Sequence, residues 1–315
     1  MPSSERPDGE AGAARQPCDD DLARGLRSVT RADGVEIFVA RDAGYCYGVE
    51  RALGITAAAL EHASKPVASL GPIIHNPSVV AQLEERGVEV VERVEDARGG
   101  TLIVRTHGVA PDVVTAASAR GLEVVDATCP FVSVAQRKAS ILRDAGYSVV
   151  ILGERDHPEV AGLEGFAGPG AVVVEDADGL PRDALHGKRV GVVVQTTQTR
   201  ANLASVAAAL APLVRELLVH NTICDATEKR QRAACELAAD VDVVVVVGGR
   251  NSANTARLAQ LCRAIEDRTH HVESAAELLP EWFTGARRIG VTAGASTPDD
   301  EIEATVQALM GFDGG

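Results

Sequence analysis

The chain has 315 residues, 45% of them apolar, and a formal net charge of −14. That length buries a sizeable core in two or three small domains, while the negative charge argues against nucleic acid and anionic membrane surfaces as partners. No run of about 18 uncharged apolar residues occurs, so no segment is expected to span a membrane, and six cysteines point to metal or redox chemistry rather than a disulfide framework.

In chain order, Met1 to Arg31 come first, rich in Ser, Pro, Gly, Ala and charge. They lack the apolar segment of a secretory signal, and acids such as Glu5, Asp8, Glu10 and Asp19 to Asp21 speak against a transit peptide. We expect a disordered tail over 1–33, dispensable for chemistry, on a cytoplasmic protein. Next comes an apolar strand, Glu36–Ala40, a tight loop with Cys46 and an Ala-rich helix from Val49. A second strand leads into Gly71-Pro72-Ile73-Ile74-His75-Asn76, and strand Thr101–Val104 ends in Arg105-Thr106-His107-Gly108.

The same order then recurs. Strand Leu122–Val125 leads to Cys129 and a helix from Val132, followed by Gly153-Glu154-Arg155-Asp156-His157-Pro158-Glu159. Strand Arg189–Val194 ends in Gln195-Thr196-Thr197. Strand Leu217–Val219 leads to Cys224 and a helix from Glu228, followed by Gly248-Gly249-Arg250-Asn251-Ser252-Ala253-Asn254. Strand Arg288–Val291 ends in Thr292-Ala293-Gly294-Ala295-Ser296.

The three cysteines are 83 and 95 residues apart, and His75, His157 and Ser252 follow them by 29, 28 and 28 residues. Three landmarks in one order, each at a strand-to-helix junction, define an internal repeat. We expect an α/β fold of three tandem units with mostly parallel sheets, over 34–127, 128–222 and 223–312. In parallel sheets the loops beyond the carboxyl ends of the strands form the ligand face. Units related by a pseudo-threefold axis would therefore point every landmark into one central cavity.

Each repeated cysteine stands just before a helix, where the dipole and free N–H groups favour a thiolate. None lies in the closely spaced pair usual for structural zinc. A 4Fe–4S cluster normally takes four cysteines; three leave one iron open for substrate. Cys18, Cys235 and Cys262 have no counterparts in the repeat and read as structural or incidental. His75, His107, His157, Ser252, Asn254 and Ser296 form a set of donors at helix N-termini, a common way to hold phosphate. Glu159 is a candidate general acid with Thr196 in the same unit, although a first-turn glutamate favoured by the helix dipole fits the spacing equally well. No P-loop or dinucleotide fingerprint is present.

The motifs Gly44-Tyr45-Cys46-Tyr47-Gly48-Val49, Thr106-His107-Gly108, Asp126-Ala127-Thr128-Cys129-Pro130, His157-Pro158-Glu159-Val160, Gln195-Thr196-Thr197, Thr222-Ile223-Cys224, Arg230-Gln231, Asn251-Ser252-Ala253-Asn254 and Val291 through Pro298 together resemble the 4-hydroxy-3-methylbut-2-enyl diphosphate reductase (IspH/LytB) family. The resemblance runs from about residue 36 to 310. It implies a reductase of the non-mevalonate isoprenoid pathway that removes an allylic hydroxyl, giving isopentenyl and dimethylallyl diphosphate. It further implies that Cys46, Cys129 and Cys224 hold a 4Fe–4S cluster whose open iron meets the substrate's terminal oxygen. His75, His107, Ser252, Asn254 and Ser296 would grip the diphosphate with His157 close by, and Glu159, relayed through Thr196, would protonate the departing hydroxyl. Electrons would come from a ferredoxin or flavodoxin.

Three positions depart from the family pattern. Ala253 replaces a second serine in the diphosphate loop, Tyr45 replaces a phenylalanine, and Asp225 adds a negative charge after Cys224. The competing readings are a paralogue keeping the cluster as a redox sensor, another three-cysteine iron–sulfur enzyme such as a quinolinate synthase, and a zinc-binding structural protein.

Overall fold

In the computed structural model, which describes residues 27–312, short Val/Ile-rich strands alternate with helices and sort into three sheets. In chain order the strands are β1 (Arg27–Thr30), β2 (Glu36–Val39), β3 (Val67–Leu70), β4 (Val88–Val91), β5 (Thr101–Val104), β6 (Glu123–Asp126), β7 (Ser148–Leu152), β8 (Val172–Val174), β9 (Arg189–Val194), β10 (Glu216–His220), β11 (Val243–Val247), β12 (Thr269–Val272) and β13 (Arg288–Ala293). The helices are α1 (Tyr47–His62), α2 (Pro77–Glu85), α3 (Pro111–Ala119), α4 (Pro130–Asp144), α5 (Pro158–Ala167), α6 (Arg182–Leu185), α7 (Arg200–Leu210), α8 (Asp225–Ala238), α9 (Ala253–Arg263) and α10 (Asp299–Met310). Among the described residues no helix is long and apolar enough to cross a membrane.

The sheets run β4-β3-β5-β6, β8-β7-β9-β10 and β12-β11-β13-β2-β1, and every pairing except β1 with β2 is parallel. This is the α/β class with mostly parallel sheets that the repeat predicts. The fourth strand in each order delivers a cysteine: β6 leads to Cys129, β10 to Cys224 and β2 to Cys46.

That arrangement corrects the first unit. β2, assigned above to 34–127, pairs with β13 and sets Ile37 opposite Ile289. The strand therefore completes the third sheet, whose own segment supplies only three strands, and the start of the fold closes against its end. A second correction concerns the tail. Arg27–Thr30, placed in the disordered segment 1–33, pairs antiparallel with β2, Arg27 opposite Val39. Arg31 and Asp33, also within that expected tail, are joined by hydrogen bonds in the turn that follows β1, while residues 1–26 lie outside the described residues.

Strands buried on both faces read as continuous apolar runs, and β11 is five consecutive fully buried valines. Because side chains alternate between faces, Val243, Val245 and Val247 enter one core with Ile289 and Val291, while Val244 and Val246 enter another with Leu237 and Leu258. Glycine brings the cysteine-bearing helices close to their sheets. A Cβ on Gly191 of β9 would stand 2.4 Å from Leu142 of α4, and one on Gly290 of β13 would stand 2.9 Å from Leu237 of α8. The strand ends and the helix N-termini thereby meet at one level.

Candidate active site

Cys46, Cys129 and Cys224 are the N-cap residues of α1, α4 and α8. The helices begin earlier than their apolar patterns suggest, because the cysteine itself takes the cap conformation. The Cys46 N–H donates to Ala295 O at 3.2 Å, that of Cys129 to Thr106 O at 2.9 Å, and that of Cys224 to Thr196 O at 3.0 Å. Each acceptor follows the strand adjacent to the one that delivers the cysteine, so each thiol is pinned where two neighbouring strand ends meet.

Burial pushes the Cys129 thiol up to about 11 and raises that of Cys224; the N–H groups of Phe131 and Val132, and of Thr227 and Ala226, pull in the opposite direction. All three cysteines are free of disulfides. Among the described residues, the metal-capable trio whose ligand atoms lie within 4.8 Å of one another is His75, His107 and His157 rather than the cysteines. The three thiols, each at the N-terminus of its own helix and all lining one cavity, are a donor set that a group with several metal atoms could share. Gly48 supports the same fit, because a Cβ there would project between the thiols, 2.6 Å from Cys129 Sγ and 3.8 Å from Cys46 Sγ.

Glu159 sits in the first turn of α5 and is 1% exposed. It accepts from the Thr196 N–H at 2.7 Å and from the Thr196 hydroxyl at 2.8 Å. Burial nonetheless pushes its carboxyl up to about 7, against those two hydrogen bonds. A carboxyl that holds a proton near neutrality inside a cavity is a competent general acid, and the pairing with Thr196 goes beyond the role of a dipole-stabilised first-turn glutamate.

The three histidines converge from two units. Ring centroids are 4.5 Å apart for His75 and His107, 5.2 Å for His107 and His157, and 5.6 Å for His75 and His157. Burial lowers His75 to about 4 and His157 to about 3, and holds His107 well below its usual value; Arg105 and the neighbouring rings add to these shifts. Both ring nitrogens of His75, Nδ1 of His107 and both amide atoms of Asn254 find no hydrogen-bond partner among the described residues. Unpaired buried polar groups of this kind call for a ligand. Three neutral imidazoles could also take a divalent ion, but Ser252, Asn254 and the first turn of α9 beside them favour an anion.

The caps refine the repeat. His157 caps α5 and Ser252 caps α9, but in the first unit the cap is Asn76, which accepts from the Val79 N–H at 3.0 Å. His75 precedes it by one residue. Its carbonyl accepts from the Ser296 hydroxyl at 3.0 Å, which ties the first landmark to the third unit.

Every candidate named from the sequence lines one cavity. The same walls include residues to which the sequence reading gave no role, among them Gly48, Phe131, Thr106 and Thr227. Lining up the repeats would have exposed Gly48, since it stands where the other units have Phe131 and Ala226. Cys235 and Cys262 lie away from the cavity in α8 and α9, and Cys18 lies outside the described residues. Of the three departures, Ala253 lines the cavity, Tyr45 is half-buried, and Asp225 is exposed, so solvent screens its charge.

The profile of the LytB protein family matches residues 37–310. The chain is 46% identical over 279 residues to a 4-hydroxy-3-methylbut-2-enyl diphosphate reductase of Anaeromyxobacter sp. strain Fw109-5, covering 88% of this chain and 98% of that protein. It is 46% identical over 282 residues to one from Geobacter metallireducens, covering 89% and 98%. Among solved structures it is similar to (E)-4-hydroxy-3-methyl-but-2-enyl diphosphate reductase, the terminal enzyme of the non-mevalonate pathway, with a TM-score of 0.65 and 42% identity over 87% of this chain and 98% of that one. It is also similar to the E-1-hydroxy-2-methyl-but-2-enyl-4-diphosphate reductase of Plasmodium falciparum, with a TM-score of 0.81 and 27% identity over 87% of each chain.

Proposed function

The chain belongs to the LytB protein family, and from that premise we propose that it reduces 4-hydroxy-3-methylbut-2-enyl diphosphate in the last step of the non-mevalonate isoprenoid pathway. The allylic hydroxyl leaves as water, with two electrons and two protons consumed, to give isopentenyl and dimethylallyl diphosphate. One observation carries the reading: a fully buried carboxyl raised to about 7 shares a cavity with three free, helix-capping thiols.

In this reading Cys46, Cys129 and Cys224 hold a 4Fe–4S cluster with one iron lacking a protein ligand. When bound, the cluster supplies electrons and a Lewis-acid position. The chain's own residues do the rest. His75, His107, His157, Ser252, Asn254 and Ser296 hold the diphosphate and fix the substrate's orientation. Glu159 keeps a proton at its carboxyl for the departing hydroxyl, and Thr196 orients that carboxyl through the two hydrogen bonds it donates. Ile74, Val49 and Val132 line the same cavity with apolar surface that limits water. Two carbons of the allylic product framework can accept the second proton, which accounts for two products.

The chain has no flavin or nicotinamide motif, so a ferredoxin or flavodoxin supplies the electrons, and the reaction takes place in the cytoplasm. The unit boundaries near 127 and 222 belong to the same proposal, each falling between the last strand of one sheet and the next cysteine.

Anaerobic turnover of the substrate by reconstituted protein, driven by a chemical reductant, tests the reading. Formation of both five-carbon diphosphates is the expected result. A protein that carries its cluster but gives no product would instead favour a redox sensor or a quinolinate synthase-like enzyme.

A further inference from the structure

Arg230 lies six residues after Cys224, within α8. The residues six after Cys46 and Cys129 are Ala52 and Ala135, both fully buried. The third repeat therefore places a guanidinium where the other two place a methyl group. Arg230 is itself only 4% exposed. Its Nη2 donates to Gly44 O at 2.8 Å, two residues before Cys46. Its Nε and Nη1 find no hydrogen-bond partner among the described residues.

A buried cation left without a partner is strongly unfavourable. The groups whose negative charge favours this one are Cys46, Asp42 and Cys224, in that order. The Asp42 side chain is 32% exposed and lies beside Arg41, so its charge is screened. Of the two cysteines, Cys224 is buried as Arg230 is, and Cys46 closes the loop whose Gly44 carbonyl Arg230 holds.

We propose that Arg230 is a positioning residue for the group held by the cysteines: it fixes the Gly44–Cys46 loop and sets a permanent positive charge beside two of the three thiolates, favouring the reduced state. This rests on the cluster reading above. Three thiolates leave a 4Fe–4S assembly anionic, and one-electron reduction by the donor protein adds a further negative charge. A buried cation stabilises that more negative state and so raises the reduction potential.

The test starts from reconstituted wild-type protein, characterised by its iron and sulfide content and its visible absorption. If the wild type takes up no cluster, the underlying reading fails, and this inference fails with it. With the cluster present, a potentiometric titration compares the wild type with Arg230→Gln and Arg230→Lys. The Gln variant should titrate at a more negative potential, with at least a tenfold smaller reduced-to-oxidised ratio at fixed potential, equivalent to about 59 mV for one electron. The Lys variant should recover most of that shift. A Gln variant with a full cluster and the wild-type midpoint would overturn the inference and leave the reading of the site intact.

A second measurement needs no neutral variant. Pulsed electron paramagnetic resonance of the reduced wild-type cluster, in protein labelled with ¹⁵N-arginine, should show a nitrogen coupling that disappears in Arg230→Lys. Absence of that coupling in the wild type would equally overturn the inference.

Discussion

Glu159 and Thr196 are joined by two hydrogen bonds across 37 residues of chain, one from the threonine N–H at 2.7 Å and one from its hydroxyl at 2.8 Å. Both bonds favour the carboxylate, yet burial prevails and the carboxyl is pushed up to about 7. The same threonine accepts the Cys224 N–H through its carbonyl at 3.0 Å. One residue thus sets the position of the proton and of the neighbouring thiol together.

This pairing predicts a pH profile. A general acid works in its protonated form, so turnover should fall as pH rises through about 7. Glu159→Gln keeps the shape but has no proton to give, and general acid–base catalysis typically contributes about 10²- to 10⁴-fold. We expect a loss in that range, with the limb near pH 7 absent from the residual rate. Steady-state rates of both proteins between pH 6 and 9 (roughly the range bracketing that value) would check it; a wild-type limb retained in the variant removes Glu159 from this role.

The histidine cluster predicts proton uptake on ligand binding. In the ligand-free protein His75 and His157 stay neutral down to about 4 and 3, and His107 is also held well below its usual range. An anion in their midst raises all three. Uptake of one proton makes affinity about tenfold tighter per unit fall in pH. Calorimetric titration with inorganic diphosphate, in buffers of different ionisation enthalpy, should show this uptake, with less of it in His107→Asn. Equal uptake in both proteins would mean that the protons go to the diphosphate itself. The same shifts fix the sign of a stability effect. The unfolded chain protonates these groups near 6.5 while the fold resists, so their contribution is complete above 6.5 and is lost as the pH falls towards 4 and 3.

Much of this site was legible because a repeat multiplies weak signals. One cysteine before a helix says little, whereas Cys46, Cys129 and Cys224 at matching places, each followed by its own polar landmark, identify the cavity. The pairing of β2 with β13 was not legible, because the hydrophobic pattern of a strand records its burial and not which distant strand lies beside it. The motif Arg230-Gln231 was visible, but the burial of Arg230 was hidden for a different reason. An arginine in a polar helix normally faces solvent, and only packing shows that this one replaces Ala52 and Ala135 in the core. The capping role of Asn76 was masked by the neighbouring His75, which fits the spacing almost as well.

The cysteines divide into two groups with opposite expected behaviour. Cys46→Ser, Cys129→Ser and Cys224→Ser should each lose most of their iron and the associated visible absorption. Cys235→Ser and Cys262→Ala should retain both. Cys262 is fully buried among apolar neighbours, its thiol 3.7 Å from Ala234 O, so its loss should cost about 1 kcal/mol of stability through the small cavity left behind. Iron analysis with thermal unfolding separates the two groups, and loss of iron from Cys262→Ala at normal stability would contradict the assignment.

Gly48 offers a test in which stability and function should move in opposite directions. It lies in the first turn of α1 with ordinary helical geometry, and alanine there gains up to about 1 kcal/mol of helix propensity. The added methyl, however, would stand 2.6 Å from Cys129 Sγ, within the space between the thiols. Gly48→Ala should therefore fold at least as well as the wild type without iron, but take up much less on reconstitution. Gly54, in the same helix, is the control, since a Cβ there meets nothing within 4 Å. Gly54→Ala should gain the same propensity and keep its full iron content. Circular dichroism and iron analysis of the two variants decide the matter. Normal iron uptake by Gly48→Ala would mean that the thiols can move apart, and that the missing side chain at this position is not what keeps their shared space open.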